Sequence, residues 1–224
     1  MRAGIGIAKI LKAEGVSWVG VFPNTPIVNS CAEEGIKLLM TRSERIAVAM
    51  ADGYSRVSDG HRIGVCTVQG GLNPPGIQNA FSGIAQAYED SSTILCITGG
   101  LPRPMTGSTR FDIGKSFDGV AKWVGYINYA NRVPEFMRRA FTYLKTGRPS
   151  PVILQFPEDM ENEEYDDAKF PYKPVKGWKT MGDPHDVEVA VRAILTAKNS
   201  LIYAGQGIFY ADACDELREF ALSP

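Results

Sequence analysis

Glu44 is the residue whose type and setting could most directly carry chemistry. It lies in Thr41-Arg42-Ser43-Glu44-Arg45-Ile46-Ala47-Val48-Ala49-Met50-Ala51-Asp52, a stretch of small residues at helical spacing that closes on Gly53-Tyr54-Ser55-Arg56. The preceding run, Ile36-Lys37-Leu38-Leu39-Met40, reads as a strand, so the carboxylate falls where a strand hands over to a helix. Open α/β sheets bind ligands at that edge, outside the carboxyl ends of their strands. A carboxylate placed there can hold or exchange a proton with a bound molecule. The same pattern also permits a purely structural role: Thr41-x-x-Glu44 fits a capping box, in which the glutamate turns back onto the cap amide. Ala47, Ala49, Ala51 and Gly53 make this helix thin, which lets a backbone or a ligand approach closely.

The elements that must position Glu44 alternate between helix and strand. Ile5 to Glu14 has helical spacing and is closed by Gly15; Trp18 to Phe22 reads as a strand stopped by Pro23. Further strands are expected at Ile63 to Val68, Thr93 to Thr98 and Pro151 to Phe156, with helices at Ile77 to Tyr88 and Val133 to Lys145. The strand runs are almost continuously apolar, as suits strands covered on both faces of a parallel sheet. The alternation predicts an α/β fold, a doubly wound and mainly parallel sheet, over residues 1–160.

Composition then shifts. Glu158, Asp159, Glu161, Glu163, Glu164, Asp166 and Asp167 crowd together without a base, and a stretch with Pro171, Pro174 and several lysines follows. Residues 161–184 are therefore expected to form an extended, solvated linker. From 185 the α/β pattern restarts: a helix over Asp186 to Lys198, a strand over Ser200 to Ala204, a turn at Gly205-Gln206-Gly207 and a helix over Tyr210 to Leu222. Some forty residues do not normally bury a core of their own, so residues 185–224 read as the start of a second domain.

Several function classes find no support. The 24 basic and 25 acidic residues nearly cancel, leaving no charge footprint for nucleic acid or an anionic membrane. No apolar run reaches membrane-span length, and no long apolar leader precedes the first helix, so a cytoplasmic protein is expected. With only His61 and His185, a histidine-rich metal site is not expected. Cys31, Cys66, Cys96 and Cys214 show no paired spacing, and Cys66 and Cys96 sit inside strand-like runs as small hydrophobes. Gly70-Gly71-Leu72-Asn73-Pro74-Pro75-Gly76 joins a strand to a helix but lacks the Lys-Ser/Thr ending or Gly-x-Gly-x-x-Gly spacing of the phosphate loops.

Taken in order along the chain, these motifs resemble the thiamine-diphosphate-dependent enzymes of the acetolactate synthase type. Phe22-Pro23-Asn24 falls on that family's turn after the first strand, and Glu44 on its catalytic glutamate. Pro75-Gly76-Ile77-Gln78-Asn79 matches its Pro-Gly-x-x-Asn loop, and Ala87-Tyr88-Glu89-Asp90-Ser91 the Ala-Tyr-x-Asp-Ser that follows. Thr98-Gly99-Gly100, Pro102-Arg103 and Gly147-Arg148-Pro149-Ser150-Pro151-Val152 continue the match. Each is weak alone; their order and spacing carry the resemblance.

The resemblance implies a flavodoxin-like pyrimidine-binding domain at 1–160 and a partial Rossmann-like middle domain at 185–224. It implies thiamine diphosphate as cofactor, with Phe22, Pro23, Asn24, Glu44, Pro75, Gly76 and Asn79 around the aminopyrimidine. Glu44 would bond the pyrimidine ring nitrogen and favour the imino tautomer, whose amine takes the proton from carbon 2 of the thiazolium ring. The substrate would be a 2-oxo acid, undergoing decarboxylation or carboligation. The family's Gly-Asp-Gly motif does not occur in the sequence, so the ligands of Mg²⁺ and of the diphosphate are expected from a diphosphate-binding domain outside these 224 residues. This chain alone is then expected to be inactive and to form a homodimer or larger assembly, consistent with small, apolar helices around Glu44 and over Ile77 to Tyr88. Departures cluster toward the substrate side: Ser43 where the family often has His, Asn24 for Gly, a longer loop at Leu72-Asn73, Gly100 for Gln, and Phe111-Asp112 for Phe-Gln. Two other readings stay open: a non-catalytic binding or regulatory subunit that pairs with a full-length relative, and an unrelated flavodoxin-like ligand-binding protein.

Overall fold

The structure is a computed structural model that describes residues 1–23, 25–105 and 111–223. The chain divides into two compact units, Met1–Gly177 and Trp178–Pro224, a division that falls inside the expected linker at 161–184.

The first unit opens with helix α1 (Ala3–Ala13), strand β1 (Trp18–Val21), helix α2 (Val28–Glu33), strand β2 (Lys37–Met40) and helix α3 (Glu44–Arg56). Strand β3 (Gly64–Val68), helix α4 (Pro75–Glu89), strand β4 (Ile94–Gly100), a short helix α5 (Ile113–Ser116) and strand β5 (Trp123–Tyr126) follow. Helix α6 (Val133–Lys145) and strand β6 (Val152–Pro157) complete the layers. All six strands form one parallel sheet in the order β2-β1-β3-β4-β6-β5. The order reverses between β1 and β3, which makes the carboxyl ends of those strands the switch point of a doubly wound fold.

The alternating side chains of the inner strands serve two cores. Val65, Leu95, Ile97, Val152, Leu154 and Phe156 pack with α1, α2 and α6 on one face. Cys66, Val68, Ile94, Cys96 and Ile153 pack with α3, α4 and α5 on the other. This two-sided burial is the physical origin of the unbroken apolar runs in the sequence.

Helix α3 lies directly on the sheet between β1 and β3, and glycines make that approach possible. A Cβ on Gly20 would come within 3.1 Å of the Ala47 carbonyl oxygen, and one on Gly64 would collide with the Ala51 backbone. Of the small residues noted in the sequence, Ala47 and Ala51 are turned to the sheet, whereas Ala49 is exposed and Gly53 has open space around it.

Three elements of this unit escaped sequence reading, the one-turn helix α5 among them. Helix α2 starts from Ile27, a buried β-branched residue held at φ 62°, a conformation no local pattern announces. Strand β5 is a four-residue edge with most of its residues half-buried, too short to show a periodicity.

Residues beyond β6 continue on the first unit. Met1 and Tyr165 exchange backbone hydrogen bonds of 2.8 and 3.0 Å, Ala3 N–H donates to Glu163 O at 2.8 Å, and Gly4 N–H to Glu161 O at 3.1 Å. Farther along, the Glu14 carboxylate accepts from Tyr172 Oη and from the Val175 amide (2.8 Å) and pairs with Lys145 Nζ (2.5 Å).

The second unit contains helices α7 (Pro184–Thr196), α8 (Gly207–Ala211) and α9 (Cys214–Leu222). Two sequence expectations are corrected here. Ser200 to Ala204 forms no strand, having no partner strand among the described residues of this unit; a strand exists only through pairing. The helix expected over Tyr210 to Leu222 is broken where Asp212 turns left-handed at φ 56°. Among the described residues, no helix is long and apolar enough to cross a membrane.

Candidate functional site

Glu44 is the first residue of α3, and Ser43 is its N-cap, with Oγ accepting from the Ile46 amide at 3.4 Å. The capping-box alternative is therefore not what forms. Thr41 spends its hydroxyl on the carbonyls of Val21 (3.0 Å) and Ser43 (2.9 Å), and its amide donates to Val21 O at 2.8 Å rather than to Glu44. Glu44 is only 5% exposed, and its Oε2 accepts from Asn79 Nδ2 of α4 at 2.9 Å. The N-terminus of α3 adds a favourable partial positive charge beside the carboxylate.

Asn79, Gly76 and Pro75 share the first turns of α4, with Pro75 opening the helix where its missing amide is harmless. Gly76 is buried against Glu44: a Cβ there would lie 2.9 Å from Glu44 Oε1 and 2.5 Å from Gln69 Cβ. The loop after β3 and the start of α4 thereby frame the carboxylate from one side. On the other, Gln69 Nε2 donates to Pro23 O at 3.0 Å, and Thr67 Oγ1 to Pro26 O at 3.0 Å, which ties the turn after β1 to the end of β3. Phe22 is half-buried at the end of β1, and Pro23 is exposed. Asn24 lies outside the described residues.

The structure thus brings Glu44, Gly76 and Asn79 into contact and sets Pro23 beside them through Gln69. Gln69 itself was missed, as was Thr25; a polar residue just past a buried strand at the switch point is the signal that could have found either. A cleft of about 230 Å³ opens at the same edge, between the turn after β1 and the ends of β3, β4 and β6. Glu161 borders it, and burial raises its carboxyl above the ordinary value, against the opposing pull of the Ser30 hydroxyl and the Ile27 amide. Among the described residues, no group of three or more His, Cys, Asp or Glu side chains could hold a metal ion.

Comparison with known proteins bears on this edge. The family model described as "Thiamine pyrophosphate enzyme, N-terminal TPP binding domain" matches residues 1–121. A probable acetolactate synthase large subunit of Methanocaldococcus jannaschii is 33% identical over 99% of this chain and 38% of its own length. An acetolactate synthase large subunit of Corynebacterium glutamicum is 34% identical over 83% of the chain and 30% of its own length. A glyoxylate carboligase of Escherichia coli O157:H7 is 31% identical over 99% of the chain and 38% of its own length. The chain thus spans well under half of the length of each of these relatives.

Proposed function

This chain belongs to the thiamine pyrophosphate enzymes and is acetolactate synthase-like; from that premise we propose that it forms the aminopyrimidine half of a thiamine-diphosphate site in a 2-oxo acid decarboxylase or carboligase. The observation that carries the reading is the Glu44 carboxylate, buried at the switch point of the sheet and hydrogen-bonded by Asn79. With Oε2 engaged, Oε1 is left for a ligand.

The residues fit the group. The absence of a Cβ at position 76 lets the start of α4 close on Glu44 Oε1 and Gln69, and Gln69 in turn steadies the Pro23 turn. Glu44 would bond the pyrimidine ring nitrogen, with Phe22, Pro23, Asn24, Pro75, Gly76 and Asn79 around the ring. Bound there, the cofactor supplies a thiazolium carbon nucleophile and an electron sink for decarboxylation. Asn79 would keep the carboxylate oriented toward the ring, Gly76 would let the start of α4 pack closely against it, and Glu44 would hold the proton that sets the ring's tautomer.

Mg²⁺ and the diphosphate would be held by a diphosphate-binding domain, from a further part of the protein or from a separate chain. Assembly as a homodimer or larger is part of the same proposal. It is supported by Ile46 on α3 and Phe81 on α4, apolar side chains exposed on the helices that carry the site.

Calorimetric titration of thiamine diphosphate with Mg²⁺, in the presence and absence of a diphosphate-domain partner, tests the reading. Binding should require the partner, and Glu44→Gln should leave the fold intact while reducing cofactor-dependent turnover at least about a hundredfold, as loss of a proton-transfer group does. No binding under either condition would instead point to a scaffold without the cofactor.

A further inference from the structure

The turn after β1 ends in a strained residue and supplies little of its own support. The chain passes through Pro23, Asn24, Thr25 and Pro26 to Ile27, whose backbone is left-handed at φ 62° although its side chain is β-branched. Such strain persists only where the surroundings over-determine it. Pro23 and Pro26 bring no N–H to an internal hydrogen bond. The Thr25 hydroxyl, which could brace the turn from within, has no partner among the described residues. The bracing comes from the end of β3 instead. Thr67 Oγ1 donates to Pro26 O and Gln69 Nε2 to Pro23 O, both at 3.0 Å. These donors stand two positions apart, the spacing that puts side chains on one face of a strand, and they hold the turn at both of its prolines.

Gln69 is itself fixed by two further elements. Its carbonyl oxygen accepts from Thr98 Oγ1 in β4 at 3.2 Å, and its Cβ would lie 2.5 Å from a Cβ at Gly76, at the start of α4. One residue thereby sets the spacing between the Pro23 turn and the helix start that carries Gly76 and Asn79. We propose that Thr67 and Gln69 are positioning residues of the aminopyrimidine site, which hold the strained turn in place before the ring arrives. This rests on the reading of that site given above, in which the ring lies against Phe22, Pro23 and Asn24. A turn that is already ordered spares the binding step the cost of ordering it. Both residues act through the turn and take no part in proton transfer, so their loss falls on affinity rather than on the rate of the bound state.

Thr67→Val and Gln69→Met keep the size of each side chain and remove its donor. Hydrogen exchange in the full chain should show the Thr25 and Ile27 amides opening about fivefold faster in each variant, the loss expected for one neutral hydrogen bond, with the amides of β3 and β4 unchanged. With a diphosphate-domain partner present, the thiamine diphosphate concentration for half-maximal turnover should rise about fivefold in each variant, while turnover at saturation stays within about twofold. Gln69→Glu, which sets an acceptor against Pro23 O, should exceed Gln69→Met in both readings. Gln69 is half-buried, so its variants carry the test should Thr67→Val unfold. Turn amides that exchange at the parent rate, exchange that quickens equally in β3 and β4, or a loss of turnover without a loss of affinity would each overturn the assignment. A parent that binds no cofactor, with the turn loosened in the variants, would overturn the cofactor reading and with it the positioning role, while the bracing of the turn would stand.

Discussion

The bond from Asn79 Nδ2 to Glu44 Oε2 fixes one oxygen of the carboxylate, while Oε1 packs against Gly76 at the start of α4. Across the same edge, Glu161 presents the opposite case, a carboxylate that burial pushes toward its protonated form. Below the unfolded value near 4.5 both states hold the proton, and this group does not affect stability. As pH rises past that value the unfolded chain releases the proton first, so stability falls until the folded pKa is passed. Glu161→Gln should therefore melt at a higher temperature than the parent at pH 7 and at the same temperature near pH 3. Thermal scans at the two pH values check this; an equal or lower melting temperature at pH 7 would contradict it. Glu44 and Asn79 were both legible as residues, because their motifs are local. That Ser43 rather than Thr41 caps the helix was not, because the competing partner of Thr41 is the Val21 carbonyl on another strand.

The contact between α3 and the sheet rests on backbone packed against backbone. Gly64→Ala drives a Cβ into the Ala51 backbone, which cannot move without displacing the whole helix, so a loss of about 2–3 kcal/mol is expected. Gly53 lies within the same helix with open space around its missing Cβ, and Gly53→Ala should stabilise by about 0.5–1 kcal/mol. Urea unfolding of the pair separates a close approach from a mere helix-propensity effect; similar values for the two would refute the close packing. At this scale the inner strands were readable because burial on both faces leaves one continuous apolar signal. Strand β5, at the sheet edge and half-buried, had none, and the run at Ser200 to Ala204 carried the signal without a strand to pair with among the described residues of its unit.

Over the first unit as a whole, residues 161–177 run beside α1 from the carboxyl edge of the sheet, where Glu161 and Glu163 meet its first turn, to the opposite edge at Glu14. The Glu14 side chain is fully buried, shared among Lys145, Tyr172 and Val175. Tyr172 is held protonated by burial and by its bond to that carboxylate. Glu14→Ala leaves the Lys145 ammonium without its counter-charge and should cost about 2–3 kcal/mol. It should also expose residues 165–177 to limited proteolysis; an unchanged cleavage pattern would show that the segment is fastened by other contacts.

Composition and periodicity determined the fold class and most inner strands and helices, and the order of short motifs carried the resemblance to the thiamine pyrophosphate enzymes, because each of these is written in neighbouring residues. The tertiary structure decided that the acid-rich stretch after β6 packs along α1, that Asn79 reaches Glu44 across 35 positions, and that Thr25, Gln69, Glu158 and Glu161 share one cleft. Those facts join residues far apart in the chain. Only the parallel sheet, which gathers the carboxyl ends of its strands at one edge, brings them within reach of one another.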